Sequence, residues 1–203
     1  NAAQNSYEEL FSRYSSILND QLKGYGTMNY VSSHDDGEPF DKERIKPFES
    51  ATKLLLCPGT SQVYYGDESA RALIVEGAVG DANLRSNMNW DEIENNKKTK
   101  EILAHWQKLG KFRSSHPSVG AGVHKMISEA PYVFERSFSQ NNYSDSVVVG
   151  LELNEGEKEL NVSPVFSDGT VLNEFYSGVE VKVKNGMVTI NSPFSIVLLE
   201  KKN

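Results

Sequence analysis

At 203 residues, 38% of them hydrophobic, the chain is long enough to bury a core and to form one or two domains. A formal net charge of −7 argues against a nucleic-acid partner, because binding phosphates requires clustered lysines and arginines. No apolar run approaches the roughly 20 residues of a membrane-spanning helix, so we expect no membrane span.

The first predicted elements are a helix and a strand. The sequence Ser6-Tyr7-Glu8-Glu9 is a capping box, in which a hydroxyl and a carboxylate each bind a free backbone N–H. Apolar residues then recur at helical spacing as far as Leu18, and Lys23-Gly24 supplies a stop. Residues 25–33 predict a strand, and residues 34–40 predict a polar loop.

A strand–helix–strand unit follows from the next segments. Asp41 is predicted to cap a second helix that ends at Pro58-Gly59, and residues 61–65 form the next strand. This order predicts parallel strands with a right-handed crossover. Residues 66–98 form a long polar loop, of a kind that is usually functional or disordered. A third helix is predicted at residues 100–112.

The remainder of the chain is rich in predicted strands, and we place a domain boundary near residue 116. Asn185-Gly186, between two alternating runs, is a strong signal for a type I′ hairpin turn. We therefore predict an antiparallel β-sandwich over residues 117–203. Its predicted strands are residues 123–127, 132–138, 147–153, 179–183, 187–190 and 194–200.

Both predicted strands of the first part end on ionisable groups. His34 and Asp35 follow the first strand, and Asp67 and Glu68 follow the second. Chemistry in parallel α/β proteins lies at the carboxyl ends of the strands, so these residues are candidates for an active-site wall. The carboxylate could stabilise developing positive charge, and the imidazole could donate to a hydroxyl. From the spacing alone, a solvated acidic loop is at least as good an interpretation.

Two polar segments leave further alternatives open. The acidic loop from Asp35 to Asp41 could hold calcium, although it lacks the spacing of an EF-hand. Asp81 and Arg85 lie four residues apart. In a helix they would form an ordinary ion pair, and in a loop they could position a hydroxylated ligand.

Taken together, these segments resemble the α-amylase family of glycoside hydrolases, family 13. Residues 29–35 resemble the family's region in which the seventh barrel strand ends in His-Asp, and residues 58–68 are similar to its eighth strand. Residues 81–90 match the Asp, Arg, Met and Trp pattern of the loop that follows. The resemblance covers nearly the whole chain. It implies that residues 1–116 are the C-terminal part of a (β/α)8 TIM barrel, followed by the β-sandwich.

The resemblance also implies an activity and residue roles. Family members are retaining enzymes acting on α-linked glucans, and we expect α-1,4-linked glucans as the substrate. Asp35 would stabilise the transition state, while His34, Asp81 and Arg85 would bind hydroxyls of the same sugar. No arginine here is followed by aspartate two residues later, as the family's nucleophile motif requires. The nucleophile and the general acid are therefore expected outside this chain.

The same resemblance carries expectations about partners and location. We expect no cofactor within this chain and leave calcium open for the full-length enzyme. The expected partners are an α-glucan and the rest of the parent polypeptide, and unpaired strand edges predict self-association. Export is favoured over the cytoplasm. The alternative is a non-catalytic carbohydrate-binding or interaction protein on a degenerate amylase fold, against which the presence of all four site residues argues.

Overall fold

The computed structural model describes residues 2–202 and divides the chain into two compact units, Asn1–Lys111 and Phe112–Asn203. The division lies a few residues before the predicted boundary at residue 116. Within the described range, no helix has the length and apolar character needed to cross a membrane.

The first unit is mainly helical. Its first helix begins as predicted, because Ser6 Oγ accepts a hydrogen bond from the Glu9 N–H at 3.3 Å and Glu9 Oε2 accepts one from the Ser6 N–H at 3.1 Å. The capping box is thereby confirmed. Its helices are α1 (Tyr7–Asn19), α2 (Pro47–Leu55), α3 (Trp90–Asn95) and most of α4 (Lys97–Ser115), which continues past the division at Lys111. The 3₁₀ turns are Ala2–Gln4, Asp67–Ser69 and Gly80–Arg85.

Strands β1 (Met28–Asn29) and β2 (Thr60–Ser61) flank α2 in the sequence and pair in parallel, with Met28 opposite Thr60. The parallel pairing agrees with the prediction, but both strands are much shorter than predicted. The residues described in this unit supply no third strand to the sheet. Two short strands do not make a barrel, so the structure does not show the barrel units implied by the resemblance.

Two other predictions for this unit were wrong. Asp41 does not cap α2, because its carboxylate accepts from the N–H groups of Ile45 and Lys46, at 2.8 and 3.0 Å, in the preceding turn. The helix begins at Pro47 instead. Proline lacks a backbone N–H, and the first residue of a helix has no partner for one. The predicted loop at residues 66–98 is not free of regular structure, because it contains α3 and two 3₁₀ turns.

The second unit is an antiparallel β structure preceded by the short helix α5 (Pro117–Ala121). Six strands form one sheet in the order β3-β4-β5-β10-β7-β8, and two strands form a second sheet, β6-β9. The strands are β3 (Val123–Ser128), β4 (Tyr132–Gln140), β5 (Tyr143–Leu151), β6 (Gly156–Asn161), β7 (Val171–Glu174), β8 (Val179–Lys182), β9 (Met187–Ser192) and β10 (Val197–Lys201).

One hydrophobic core lies between these two sheets. Val148, Leu172 and Leu199 come from the larger sheet, and Leu160 and Ile190 come from the smaller one. Burying apolar residues from both sheets in a shared layer is what stabilises such a structure. The antiparallel prediction for this part of the chain agrees with the structure.

Candidate active site

Two predicted site residues lie side by side in the loop after β1. His34 Nε2 is 3.6 Å from Asp35 Oδ2, and the two side chains are 62% and 63% exposed. Both groups therefore face solvent and are open to a ligand.

A local hydrogen-bonded turn orients the carboxylate. Ser33 Oγ donates to Asp35 Oδ1 at 2.8 Å, and the Asp35 N–H donates back to Ser33 Oγ at 3.4 Å. Serine makes such turns because its short hydroxyl reaches the backbone two residues on. The turn leaves the second carboxylate oxygen to face His34.

Arg85 reaches the same loop from a different segment. Its Nε donates to the carbonyl oxygen of His34 at 3.2 Å. The structure thus brings His34, Asp35 and Arg85 together. Asp81 lies in the same 3₁₀ turn as Arg85, Gly80–Arg85, but within residues 2–202 no hydrogen bond or ion pair links it to the other three.

A buried ion pair is hydrogen-bonded to the segment that leads into this loop. Asp67 has a fully buried side chain, and its Oδ1 accepts from Ser32 Oγ at 2.6 Å and from Arg44 Nη2 at 2.8 Å. Ser32 lies just before the site loop. Asp67 therefore anchors the residue that leads into the site loop. Because its side chain is fully buried, it does not reach a ligand. Buried charges are tolerated when they are paired and hydrogen-bonded in this way.

A second buried arginine fixes the segment that carries Arg85. Arg71 Nη1 and Nη2 donate to the carbonyl oxygens of Ser86 and Leu84, each at 3.1 Å. Its guanidinium lies 4.0 Å from the centre of the Tyr65 ring, at cation–π distance. Arg71 was missed at the sequence level because its partners on residues 84–86, backbone carbonyls and the Ser86 hydroxyl, become neighbours only in the fold.

Tyr64 also anchors this segment. Its hydroxyl donates to the Leu84 carbonyl oxygen at 3.0 Å. Burial, together with the neighbouring phenol of Tyr65, raises the pKa of Tyr64. The phenol therefore stays protonated and remains a donor throughout the neutral range.

The acidic loop does not assemble a cation site. Asp36 Oδ1 accepts from the Glu38 N–H at 3.1 Å, and the Glu38 carboxylate pairs with Lys42 at 3.3 Å. Among residues 2–202 no three or more His, Cys, Asp or Glu side chains are grouped to hold a metal ion. The site therefore presents an exposed carboxylate beside an exposed imidazole, a pair that can accept hydrogen bonds from hydroxyl groups and donate to them.

Comparison with known proteins gives a partial sequence match. No protein-family profile matches the chain. Over 106 residues, 51% of the chain, it is 40% identical to the periplasmic α-amylase of Escherichia coli (strain K12). The match spans only 14% of that protein.

Solved structures share the fold over nearly all of the chain. An Anoxybacillus α-amylase is 19% identical, with a TM-score of 0.61, and the match covers 97% of this chain and 45% of that one. The pullulanase of Anoxybacillus sp. LM18-11 complexed with maltotriose is 16% identical, with a TM-score of 0.63, covering 100% of this chain and 31% of that one. At such low identity these likenesses show the fold alone, and the chain spans less than half of either protein.

Proposed function

We propose that this chain, whose sequence and fold resemble the C-terminal portion of α-amylase-family glycoside hydrolases, is part of a retaining enzyme that hydrolyses α-1,4-linked glucans. Asp35 stabilises the oxocarbenium-like transition state, and His34 hydrogen-bonds hydroxyls of the same sugar ring. Arg85 and Asp81 bind that ring from the neighbouring 3₁₀ turn. The nucleophile and the general acid that the two-carboxylate mechanism requires come from outside the chain.

The observation that carries this proposal is the exposed cluster of His34, Asp35 and Arg85. The imidazole and the carboxylate are 3.6 Å apart, and the arginine holds the backbone of the same loop at 3.2 Å. A sugar presents adjacent hydroxyls that both donate and accept, so a fixed acceptor beside an imidazole suits it. Asp67, Arg44 and Arg71 hold these groups in position before a sugar binds, which lowers the cost of reorganisation.

The wider assignments follow from the same resemblance. We infer that β1, α2 and β2 are the last strand–helix units of a (β/α)8 barrel, which the parallel pairing of β1 with β2 supports. An exported location is proposed because the matched relative is a periplasmic α-amylase. We assign no cofactor to the chain, and calcium in a longer enzyme stays an open prediction.

The proposal is tested by substituting Asp35 in a polypeptide that also supplies the nucleophile and the acid. We expect Asp35→Asn to lower kcat on soluble starch by about a hundredfold or more, because removing one preorganised charge costs roughly that much. Asp36→Asn is the matched control, since the amide oxygen still accepts from the Glu38 N–H. Equal rates for Asp35→Asn and the unsubstituted enzyme would rule out the role given to Asp35.

A second experiment tests whether the nucleophile and the general acid lie outside this chain. Reducing-sugar release from soluble starch is measured with the 203-residue chain alone, beside its Asp35→Asn variant. We expect no release by either. Activity that disappears in Asp35→Asn would mean that this chain assembles a complete site by itself.

A further inference from the structure

The second unit carries an open polar cleft that the proposed catalytic site does not use. Its volume is ≈ 880 Å³, a size that suits a small-molecule ligand. The wall is formed by neighbouring strands β5, β10, β7 and β8 and by the segment before α5. Its polar groups include His116, Asp145, Asn173 and Glu200, with Tyr143 at the rim.

The centre of the cleft is a histidine between two carboxylates. His116 Nδ1 lies 2.9 Å from Asp145 Oδ1, and its Nε2 lies 2.6 Å from Glu200 Oε2. An ionised carboxylate only accepts, so an imidazole that carries a proton on each ring nitrogen donates to both carboxylates. Burial raises the pKa of Asp145, but hydrogen bonds from His116 and Ser118 outweigh burial and lower it overall.

The charges of the cleft balance. Lys202, which follows β10, pairs with Glu180 on β8, and Lys201 also lines the cleft. When both nitrogens of His116 carry protons, the lining has three carboxylates and three cations. They are Asp145, Glu180 and Glu200 on one side and His116, Lys201 and Lys202 on the other. A ligand that fits this lining is polar and uncharged. A metal ion does not fit, because both nitrogens of His116 are already engaged.

The carboxylates are fixed in place and keep capacity for a ligand. Asp145 Oδ2 accepts from the Ser118 N–H at 2.9 Å, and Glu200 Oε1 accepts from Asn173 Nδ2 at 2.6 Å. Each of the carboxylate oxygens therefore has a donor that holds it and a second lone pair that remains. Acceptors held in this way bind hydroxyls without first losing side-chain freedom.

Tyr143 adds the apolar contact. It is 50% exposed, and its ring packs 6.4 Å from the ring of Phe138 on β4. An exposed aromatic ring beside polar groups offers an apolar face and a polar tip together. A sugar ring has a matching arrangement, with C–H groups on one face and hydroxyls around its edge.

We propose that this cleft binds a neutral α-glucan oligosaccharide. The ring of Tyr143 packs on a sugar face, while Asp145 and Glu200 accept hydrogen bonds from its hydroxyls. The choice of an α-glucan rests on the proposed function, whereas the cleft itself lies apart from His34, Asp35 and Arg85 in the sequence and within the other unit.

The test is a calorimetric titration of maltoheptaose into the purified chain, in a His34→Ala background that weakens the proposed catalytic site. We expect saturable binding that Tyr143→Ala weakens about tenfold and that Tyr143→Phe retains, because the ring supplies the contact. Tyr25→Ala is the matched control, since Tyr25 is an exposed tyrosine of the first unit. Near-ultraviolet circular dichroism checks that each variant is folded.

Amide chemical shifts locate the bound sugar. We expect the largest changes at Ser144, Ser146 and Thr170, which line the cleft. Absence of binding in the His34→Ala background overturns the proposal, as does binding that Tyr143→Ala leaves unchanged. The Asp35→Asn rate measurement is independent of both outcomes, so failure of this proposal and failure of the catalytic proposal are distinguishable.

Discussion

The buried imidazole of His105, on α4, makes the stability of the chain depend on pH. The side chain is only 5% exposed, and its Nε2 lies 3.2 Å from the Phe48 carbonyl oxygen and 3.1 Å from Thr52 Oγ1. Burial lowers the pKa of His105 to about 4, although the hydrogen bond to Phe48 acts in the opposite direction. The folded protein therefore keeps this imidazole neutral under conditions in which the unfolded chain protonates it.

The sign of the pH effect follows from this difference. Because the unfolded imidazole takes up its proton near pH 6.5, stability is unaffected above that pH and falls as the pH drops towards 4. We expect the free energy of unfolding to be about 2 kcal/mol lower at pH 5 than at pH 7.5 from this group. Urea unfolding followed by tryptophan fluorescence measures it. His105→Gln should remove this part of the pH dependence, and His34→Gln, at an exposed histidine, should not.

At the candidate site the sequence predicted the groups that face solvent and missed those that hold them. His34 and Asp35 stand out because a β-prone run ends on them. Arg44 gives no such signal, since its partner Asp67 is 23 residues away and becomes a neighbour only in the fold. Sequence spacing reveals local pairs, whereas buried long-range pairs depend on tertiary packing.

At the level of secondary structure, the capping box of α1 predicts how much stability is lost when its serine is replaced. Ser6→Ala removes the acceptor for the Glu9 N–H and should cost about 1 kcal/mol of unfolding free energy. Ser16→Ala is the control, because Ser16 is exposed in the middle of the same helix. Chemical unfolding of both variants measures the difference. Equal losses for the two serines would show that the cap does not stabilise the folded chain.

The sequence predicted turns better than strands. Asn185 and Gly186 both have positive φ, 52° and 73°, as the type I′ turn requires. Strand β6 was missed because Lys158 occupies an inward position and hides the alternation. Its Nζ donates to the carbonyl oxygens of Ser192 and Phe194, at 2.8 and 2.9 Å, which is why the fold tolerates it there. Burial lowers the pKa of Lys158.

The chain as a whole leaves an open sheet at β1 and β2. Within residues 2–202 these strands pair only with each other, so each has one edge without a strand partner. The apolar side chains near β1 are exposed, 80% for Tyr25 and 64% for Met28. Unpaired edges beside exposed apolar groups are the surface through which proteins associate.

We therefore expect the purified chain to self-associate, with a sedimentation coefficient that rises with concentration. Met28→Lys should weaken this association, because a charge on an exposed strand opposes the approach of a second apolar edge. Val123→Lys is the matched control, since Val123 is an exposed apolar strand residue of the second unit and gains the same charge. Sedimentation velocity of the three proteins measures the effect. A chain that stays monomeric at every concentration contradicts the prediction, and equal weakening by both lysines would place the contact elsewhere than β1.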